Sequence, residues 1–270
     1  MSARIYRAGR GTALTVYVVC LSILLLTPLI MVVAVSVNSA PYTLFPPTGF
    51  SLKWFGAALG NADFLSSLWL SIRVAVTTAL LSLLIGVPAS LALARHRFRG
   101  KPLVNVFAMG PMAIPEIMLA LGLLIMFIRV PVGPSFNELV LGHLIVCLPL
   151  CIQVLSSTAA KLDANLEAAA ATLGANAWQR FRRVTLPLMK PGVIGGGLLA
   201  FIFSFDNISI SLFLTQPGQV TLPVRMYLYL DSRADPTIAA MSTVLIAISV
   251  VGFVIANRMG ALSHLAGGKR

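Results

Sequence analysis

Residues 161–187 of this 270-residue chain read KLDANLEAAAATLGANAWQRFRRVTLP, and this polar stretch separates two long apolar ones. The preceding stretch, 139–160, is LVLGHLIVCLPLCIQVLSSTAA, and the following one, 192–214, is GVIGGGLLAFIFSFDNISISLFL. A helix needs about 20 apolar residues to cross the hydrocarbon core of a bilayer. The two apolar stretches therefore predict membrane-spanning helices, with residues 161–191 as the loop between them.

The first half of this loop predicts a short helix with defined ends. Asp163 is a good N-terminal cap, and residues 168–171 are four consecutive alanines, which strongly favour a helix. Glu167 suits the positive end of the helix dipole, and Gly174 is a natural C-terminal stop.

The second half predicts another short helix at 175–184, with Trp178 and Phe181 on one face. Pro187 and Pro191 are expected to break the chain before the next span. Two such helices, lying parallel to the membrane, would offer an alanine- and glycine-rich surface to another protein. The alternative is an amphipathic helix that only touches lipid headgroups.

Composition extends this interpretation to the whole chain. Apolar residues make up 58% of the chain and charged residues 10%, whereas soluble domains have about 25% charged residues. The predicted membrane spans are 12–37, 66–94, 103–128, 139–160, 192–214 and 236–257. The predicted fold class is therefore an all-α membrane protein, one transmembrane domain over residues 1–270 with six helices.

The net charge of +12 predicts orientation rather than nucleic-acid binding, because most of the 20 basic residues lie between the spans. Cytoplasmic loops carry the excess of Lys and Arg. The basic residues predicted to be cytoplasmic are Arg4, Arg7, Arg10, Arg95, Arg97, Arg99, Lys101, Lys161, Arg180, Arg182, Arg183, Lys190, Arg258, Lys269 and Arg270. Those predicted to lie outside are Lys53, Arg129, Arg225 and Arg233. Both termini are therefore expected to face the cytoplasm.

Three charged residues fall inside the predicted spans: Arg73, Glu116 and Asp206. Charges at membrane depth are costly and usually functional. Glu116 and Asp206 are candidates for lining a cation pathway, beside helix breaks expected at Pro111 and Pro115. In another interpretation Arg73 pairs with Asp206 as a structural pair or outer gate, which leaves Glu116 in the pathway. In a third, Arg73 extends alone to the membrane surface.

The loop also resembles a known motif, the EAA loop of ABC-importer permeases, which are the inner-membrane components of binding-protein-dependent transport systems. The residues that carry the likeness are Glu167, Ala168, Ala169, Gly174, Val184, Leu186 and Pro187. Nine residues separate Gly174 from Val184, as in the motif, but four rather than three precede Gly174 after Ala169.

The resemblance implies that Glu167, Ala168, Ala169 and Gly174 lie at the docking surface of a cytoplasmic ATPase. It implies that Leu186 and Pro187 fix how the loop joins span five.

Further expectations follow from this resemblance. It implies a type I importer permease in a bacterial inner membrane that assembles with a second permease, expected to be a paralogue. The other expected partners are a dimer of ATPase subunits and an extracytoplasmic substrate-binding protein. ATP and magnesium would be bound by the ATPase, since no Gly-x-x-x-x-Gly-Lys-Ser/Thr run occurs in this chain. The chain itself is expected to bind no cofactor, metal or nucleic acid and to catalyse no reaction.

Three further segments resemble the spermidine/putrescine branch of these permeases: PMAIPEI at 111–117, SFDNISISLFL at 204–214 and TLPV at 221–224. Permeases of that branch often have a second acidic residue at the position of Asn207. Asn207 is therefore a third candidate for lining the substrate pathway. Acidic groups in the pathway favour a cation such as a polyamine over sulfate. The alternative function is a proton-driven secondary transporter that uses Glu116 and Asp206 as a relay.

Overall fold

The structure, a computed structural model, describes residues 2–43, 45–232 and 235–258, and these residues contain helices and loops but no strand. The helices are α1 (Ser2–Ser36), α2 (Lys53–Leu59), α3 (Ala62–Arg95), α4 (Lys101–Met109), α5 (Glu116–Arg129), α6 (Ser135–Ala159), α7 (Ala164–Thr172), α8 (Ala177–Arg180), α9 (Leu186–Phe205), α10 (Ser209–Leu214), α11 (Leu222–Ser232) and α12 (Thr237–Arg258). Arg233, Lys269 and Arg270, which enter the orientation argument, lie outside the described residues.

The prediction of an all-helical membrane fold is confirmed, whereas a count of six complete spans is not. Among the described residues, four helices are long and apolar enough to cross a membrane: Leu14–Ser36, Ala62–Arg95, Ser135–Ala159 and Ala177–Phe205. A fifth candidate is the bent pair Lys101–Ala113 and Glu116–Arg129. The apolar part of α12 identified among the described residues, Thr237–Val251, is shorter than a complete crossing.

Predicted span three is not one continuous helix. Its two halves meet at an angle of 104°, with a 3-10 turn at Gly110–Ala113 and extended backbone at Ile114. Pro115 explains the bend, because the residue before a proline is pushed out of the helical region. The expected break at this proline is therefore present, and it is sharp enough to change the direction of the chain.

The predicted break before span five is wrong. The second loop helix continues through a π-helical turn at Phe181–Thr185 directly into α9, so that 177–205 form one continuous helix. Pro187 comes just after this π-helical turn, which accommodates a residue that has no backbone N–H to donate, and Pro191 lies farther along inside α9. The break in span five comes later, where α9 ends at Phe205 and α10 begins at Ser209.

By its internal contacts the chain divides into two units, formed by the described residues of 1–62 with 228–247 and of 63–227 with 248–270. In the first unit, Asn38 organises the loop after α1. Its side-chain oxygen accepts hydrogen bonds from the backbone of Ala40 and Thr48, and its carbonyl accepts one from the Trp54 indole. All the candidate site residues belong to the second unit.

The core of the second unit is the close packing of α6 against α9. Gly196 lies against Cys151, where an added Cβ would come within 3.4 Å of the sulfur, and Gly197 lies against Leu83. Small residues let helices approach closely in lipid, where dispersion contacts drive helix association. Cys147 and Cys151 are buried in this core, and the Cys147 thiol points at the Ala200 carbonyl at 3.6 Å.

We predict that Gly192→Ala destabilises the α6–α9 contact. A Cβ at Gly192 would come within 2.7 Å of the Thr158 Cβ, a rigid branched atom that cannot swing away. Overpacking of this kind costs about 1–3 kcal/mol. The matched control is Gly122→Ala in α5, where a Cβ meets nothing within 4 Å. Thermal unfolding in detergent should show a lower Tm for Gly192→Ala alone, and equal values would contradict this packing.

Candidate functional site

The loop helix α7 has both of its ends fixed by specific hydrogen bonds. The Asp163 carboxylate accepts from the Asn165 N–H at 2.9 Å. At the other end the Gly174 N–H donates to Ala171 and the Ala175 N–H donates to Ala170. This bonding pattern needs a left-handed residue after the helix, and Gly174 supplies it with a φ of +84°. Any residue with a Cβ is strained there.

The Glu167 carboxylate faces the body of the protein. It accepts hydrogen bonds from Arg95 at the end of α3, at 2.5 Å, and from the Thr185 hydroxyl in the π-helical turn. Partial burial raises the pKa of Glu167, but these hydrogen bonds and the charges of Arg95 and Arg180 outweigh burial. The pKa of Glu167 is therefore lowered, and the carboxylate is ionised near neutral pH. This tether joins α7 to α3 and to the start of α9.

The opposite side of α7 is open. Ala168, Ala169 and Gly174 are exposed together, next to Leu173 and Trp178, which are 88% and 64% exposed. Exposed apolar side chains that lie together often mark a contact surface. Of the residues assigned to docking by the sequence, these small ones share an exposed face, whereas Glu167 is turned inward.

Leu186 and Pro187 occupy the first turn of α9. Leu186 is partly buried and Pro187 is exposed. They lie where the loop joins span five, as the sequence indicated, but inside a continuous helix.

The second candidate site lies where two broken helices meet. The Asn207 amide, in the break between α9 and α10, donates to the Glu116 carboxylate at the start of α5. The side-chain oxygen of Asn207 accepts from the Ile210 N–H at 2.8 Å, which caps α10. One buried side chain thus connects the break in span three with the break in span five.

His143 of α6 holds the same break from the other side. Its ring nitrogens lie 2.7 Å from the Ser204 hydroxyl and 3.0 Å from the Ser211 hydroxyl, one on each side of the break. The ring is almost fully buried. The sequence did not single out this histidine, although one His in an otherwise apolar span is a detectable signal.

Asp206 and Arg73 are exposed on the surface of the second unit. The Arg73 guanidinium lies over the Phe136 ring, 4.8 Å from its centroid, and no ion pair joins it to Asp206 in the part of the chain that the structure describes. A cavity of about 200 Å³ opens beside Glu116. Its other lining residues are Pro111, Met112, Ile114, Val146, Leu150 and Phe203.

Apolar spans, two of them broken at polar residues, together with a short helix held outside them, define a membrane transporter subunit. Residues 82–264 match the family described as "Binding-protein-dependent transport system inner membrane component". The chain belongs to this family of importer permeases.

Two relatives have names that state a substrate. The "Spermidine/putrescine transport system permease protein PotC" of Escherichia coli (strain K12) is 32% identical over 99% of this chain and 98% of its own length. The "Putrescine transport system permease protein PotI" of the same strain is 31% identical over 85% of this chain and 84% of its own length.

A solved structure of a bacterial ABC transporter involved in alginate import has a chain that superposes with a TM-score of 0.68. The sequence identity is 20%, and the match covers 96% of both chains. At this identity the likeness concerns the fold.

We predict that the Arg95–Glu167 ion pair holds α7 in place. Arg95→Glu and Glu167→Arg should each speed amide hydrogen exchange in residues 164–172, and the double swap should restore part of the protection, because opposite charges then face each other again. Arg99→Glu is the control, since Arg99 is exposed and forms no ion pair in the described structure. Equal exchange in all four variants would contradict the tether.

The same tether has a predictable pH dependence. Because the folded pKa of Glu167 is lowered, its stabilising effect is complete above the ordinary Glu pKa and is lost only as the pH falls through the lowered value. Protection of α7 should therefore stay constant between about pH 5 and 8, after correction for intrinsic exchange rates. Loss of protection within this range would contradict the assignment.

Proposed function

We propose that this chain is the membrane-spanning subunit of an ATP-driven importer of small organic cations of the polyamine class. The observation that carries the proposal is the Glu116–Asn207 contact, with exposed Asp206 beside it, where two broken helices meet. Discontinuous helices are where transporters build substrate sites. The names of the two relatives, which state spermidine and putrescine, support the same substrate class.

The carboxylates suit such a substrate for a simple electrostatic reason. A polyamine is a flexible chain with two or more ammonium groups, and each ammonium leaving water needs an anionic partner. Glu116 and Asp206 supply fixed negative charges, and Asn207 supplies a side-chain oxygen. In this proposal a substrate ammonium binds Glu116 in place of the Asn207 amide. Substrate binding would therefore break the hydrogen bond that connects the two helix breaks.

A second permease subunit is part of the proposal. Asp206 and Arg73 are exposed in this single chain, yet charges inside a membrane rarely face lipid. A second permease, expected to be a paralogue, would cover this face and complete the pathway between the two chains. An extracytoplasmic binding protein would deliver the substrate.

We assign the face of Ala168, Ala169, Leu173 and Gly174 to an ATPase subunit on a separate chain. It would bind the ATP and magnesium, and both termini of this chain would then face the cytoplasm with it. When the ATPase subunits close, their movement would be transmitted into the membrane by the continuous helix 177–205. A proton-driven secondary transporter, the alternative, needs no such surface.

We predict that Gly174→Asp uncouples ATP hydrolysis from uptake. The change places a charged, strained residue on the proposed docking face, so uptake should fall about tenfold, equivalent to ~1.4 kcal/mol, while ATPase activity loses its response to loaded binding protein. Gly218→Asp is a closely matched control, because Gly218 also has a positive φ (+82°) and open space around it. Both variants are measured in proteoliposomes with the partner subunits.

The same assay separates the energy sources. With ATP held constant inside the vesicles, an uncoupler should leave uptake unchanged. Collapse of uptake would favour the proton-driven alternative. Wild-type coupled uptake by Gly174→Asp would remove the docking role of this loop.

We predict that Glu116→Gln lowers uptake of labelled spermidine by about tenfold or more, because the loss of one ion pair with an ammonium costs roughly 1.4 kcal/mol. Asp206→Asn should act in the same direction. Asp231→Asn, which removes an exposed charge elsewhere, is the control. Unchanged spermidine uptake in both pathway variants, with normal ATPase coupling, would contradict the cation pathway.

A further inference from the structure

We infer that the groove between the ends of α3, α4 and α6 binds an anionic phospholipid. The groove has a volume of about 630 Å³. The residues that line it are Leu93, Ala94, Arg97, Phe98, Lys101, Pro102, Asn105, Ser156 and Ala160. We call these residues the basic groove.

The basic groove lies where membrane helices end. It contains the last residues of α3, the first of α4 and the last turn of α6. The neighbouring Arg95 at the end of α3 contacts Glu167, so the groove is at the same end of the second unit as α7. It therefore lies at the height of one headgroup layer, where a lipid phosphate is found.

Among the described residues, the charges of the groove have no anionic partner. All eight Asp and Glu residues lie in the described part, and none forms an ion pair with Arg97 or Lys101. Lys101 donates one hydrogen bond, to the His96 carbonyl at 3.3 Å, which leaves further N–H groups for a ligand. Arg97 and Lys101, which have no carboxylate partner and lie beside apolar walls, are therefore available to bind an anion from outside the chain.

The start of α4 adds to this positive potential. α4 begins after Gly100, which has no side chain to cap it. The start of a helix carries partial positive charge, although in α4 the Lys101 N–H already donates to the Phe98 carbonyl and Pro102 has no N–H. Because Lys101 is also the first residue of α4, the ammonium and the helix terminus are adjacent. The phosphate is therefore assigned to the two side chains, Arg97 and Lys101, which both line the groove.

The apolar part of the groove distinguishes a phospholipid from free phosphate. Leu93, Phe98 and Pro102 form walls that inorganic phosphate would not use. The exposed apolar face of α4 continues from the groove, through Leu103 and Phe107, which are 61% and 75% exposed. A lipid with its phosphate at Arg97 and Lys101 could lay its acyl chains along this face.

The test uses the full chain, purified with its co-purifying subunits and exchanged into nanodiscs. One set contains phosphatidylcholine alone, and the other contains phosphatidylcholine with phosphatidylglycerol. Phosphatidylglycerol should raise the Tm of the wild type by several degrees, as expected for a ligand of the folded state. Arg97→Gln/Lys101→Gln should lose most of this shift. Arg99→Gln, which removes a neighbouring charge that does not line the groove, should retain it.

Two further arms separate the possible ligands. Inorganic phosphate, added to the phosphatidylcholine nanodiscs, should give no shift, and native mass spectrometry should show fewer bound phosphatidylglycerol molecules in the double variant only. The inference is overturned if phosphate reproduces the shift, if Arg99→Gln and the double variant behave alike, or if a photo-cross-linker at position 97 captures the ATPase in place of lipid.

Discussion

Inside a bilayer, a helix break is stable only if the backbone groups it frees find partners within the protein. Here the constraint is met by Asn207, whose oxygen caps α10 through the Ile210 N–H and whose amide binds Glu116. His143 connects Ser204 and Ser211 across the same break. Four buried polar residues of the second unit, His143, Ser204, Asn207 and Ser211, therefore meet at this interruption. The interruption that places charges in the candidate pathway is thus the one that the hydrogen bonds of Asn207 and His143 stabilise.

The unbroken part of span five is as informative as its break. Residues 177–205 form one helix, which at 1.5 Å per residue is about 43 Å long and runs from the exposed loop surface to the residue before Asp206. In the proposed coupling, movement at α7 would reach this helix through the Glu167–Thr185 hydrogen bond and would reach α3 through Arg95. Packed helices move as rigid bodies. Helix 177–205, which ends at the polar break after Phe205, could therefore carry a displacement to the candidate pathway without deforming the core.

Sequence reasoning found what depends on local pattern and missed what depends on tertiary contact. The apolar spans, the Asp163 cap and the stop at Gly174 follow from periodicity and local chemistry, and the break at Pro115 follows from steric restriction. The continuity through Pro187 was missed because the local sequence pattern does not reveal the π-helical turn that accommodates this proline. The inward direction of Glu167 depends on Arg95, 72 positions away. The sequence did contain a signal for this difference, because four residues separate Ala169 from Gly174 where the motif has three. Counted back from Gly174, the acidic position of the motif therefore falls on Ala168 and not on Glu167.

The single chain is electrostatically incomplete, and this bears on how a polyamine would be recognised. Asn207 replaces an acidic residue often found in the resembling branch, so this chain offers two carboxylates, Glu116 and Asp206, near the break. A neutral amide at that position allows a hydrogen bond to Glu116 that a second ionised carboxylate would oppose by repulsion. Asn207 thus favours the hydrogen bond that joins the two helix breaks, and the pathway carries one negative charge fewer. In the proposed function, a substrate with more than two ammonium groups would then need further carboxylates from the second permease.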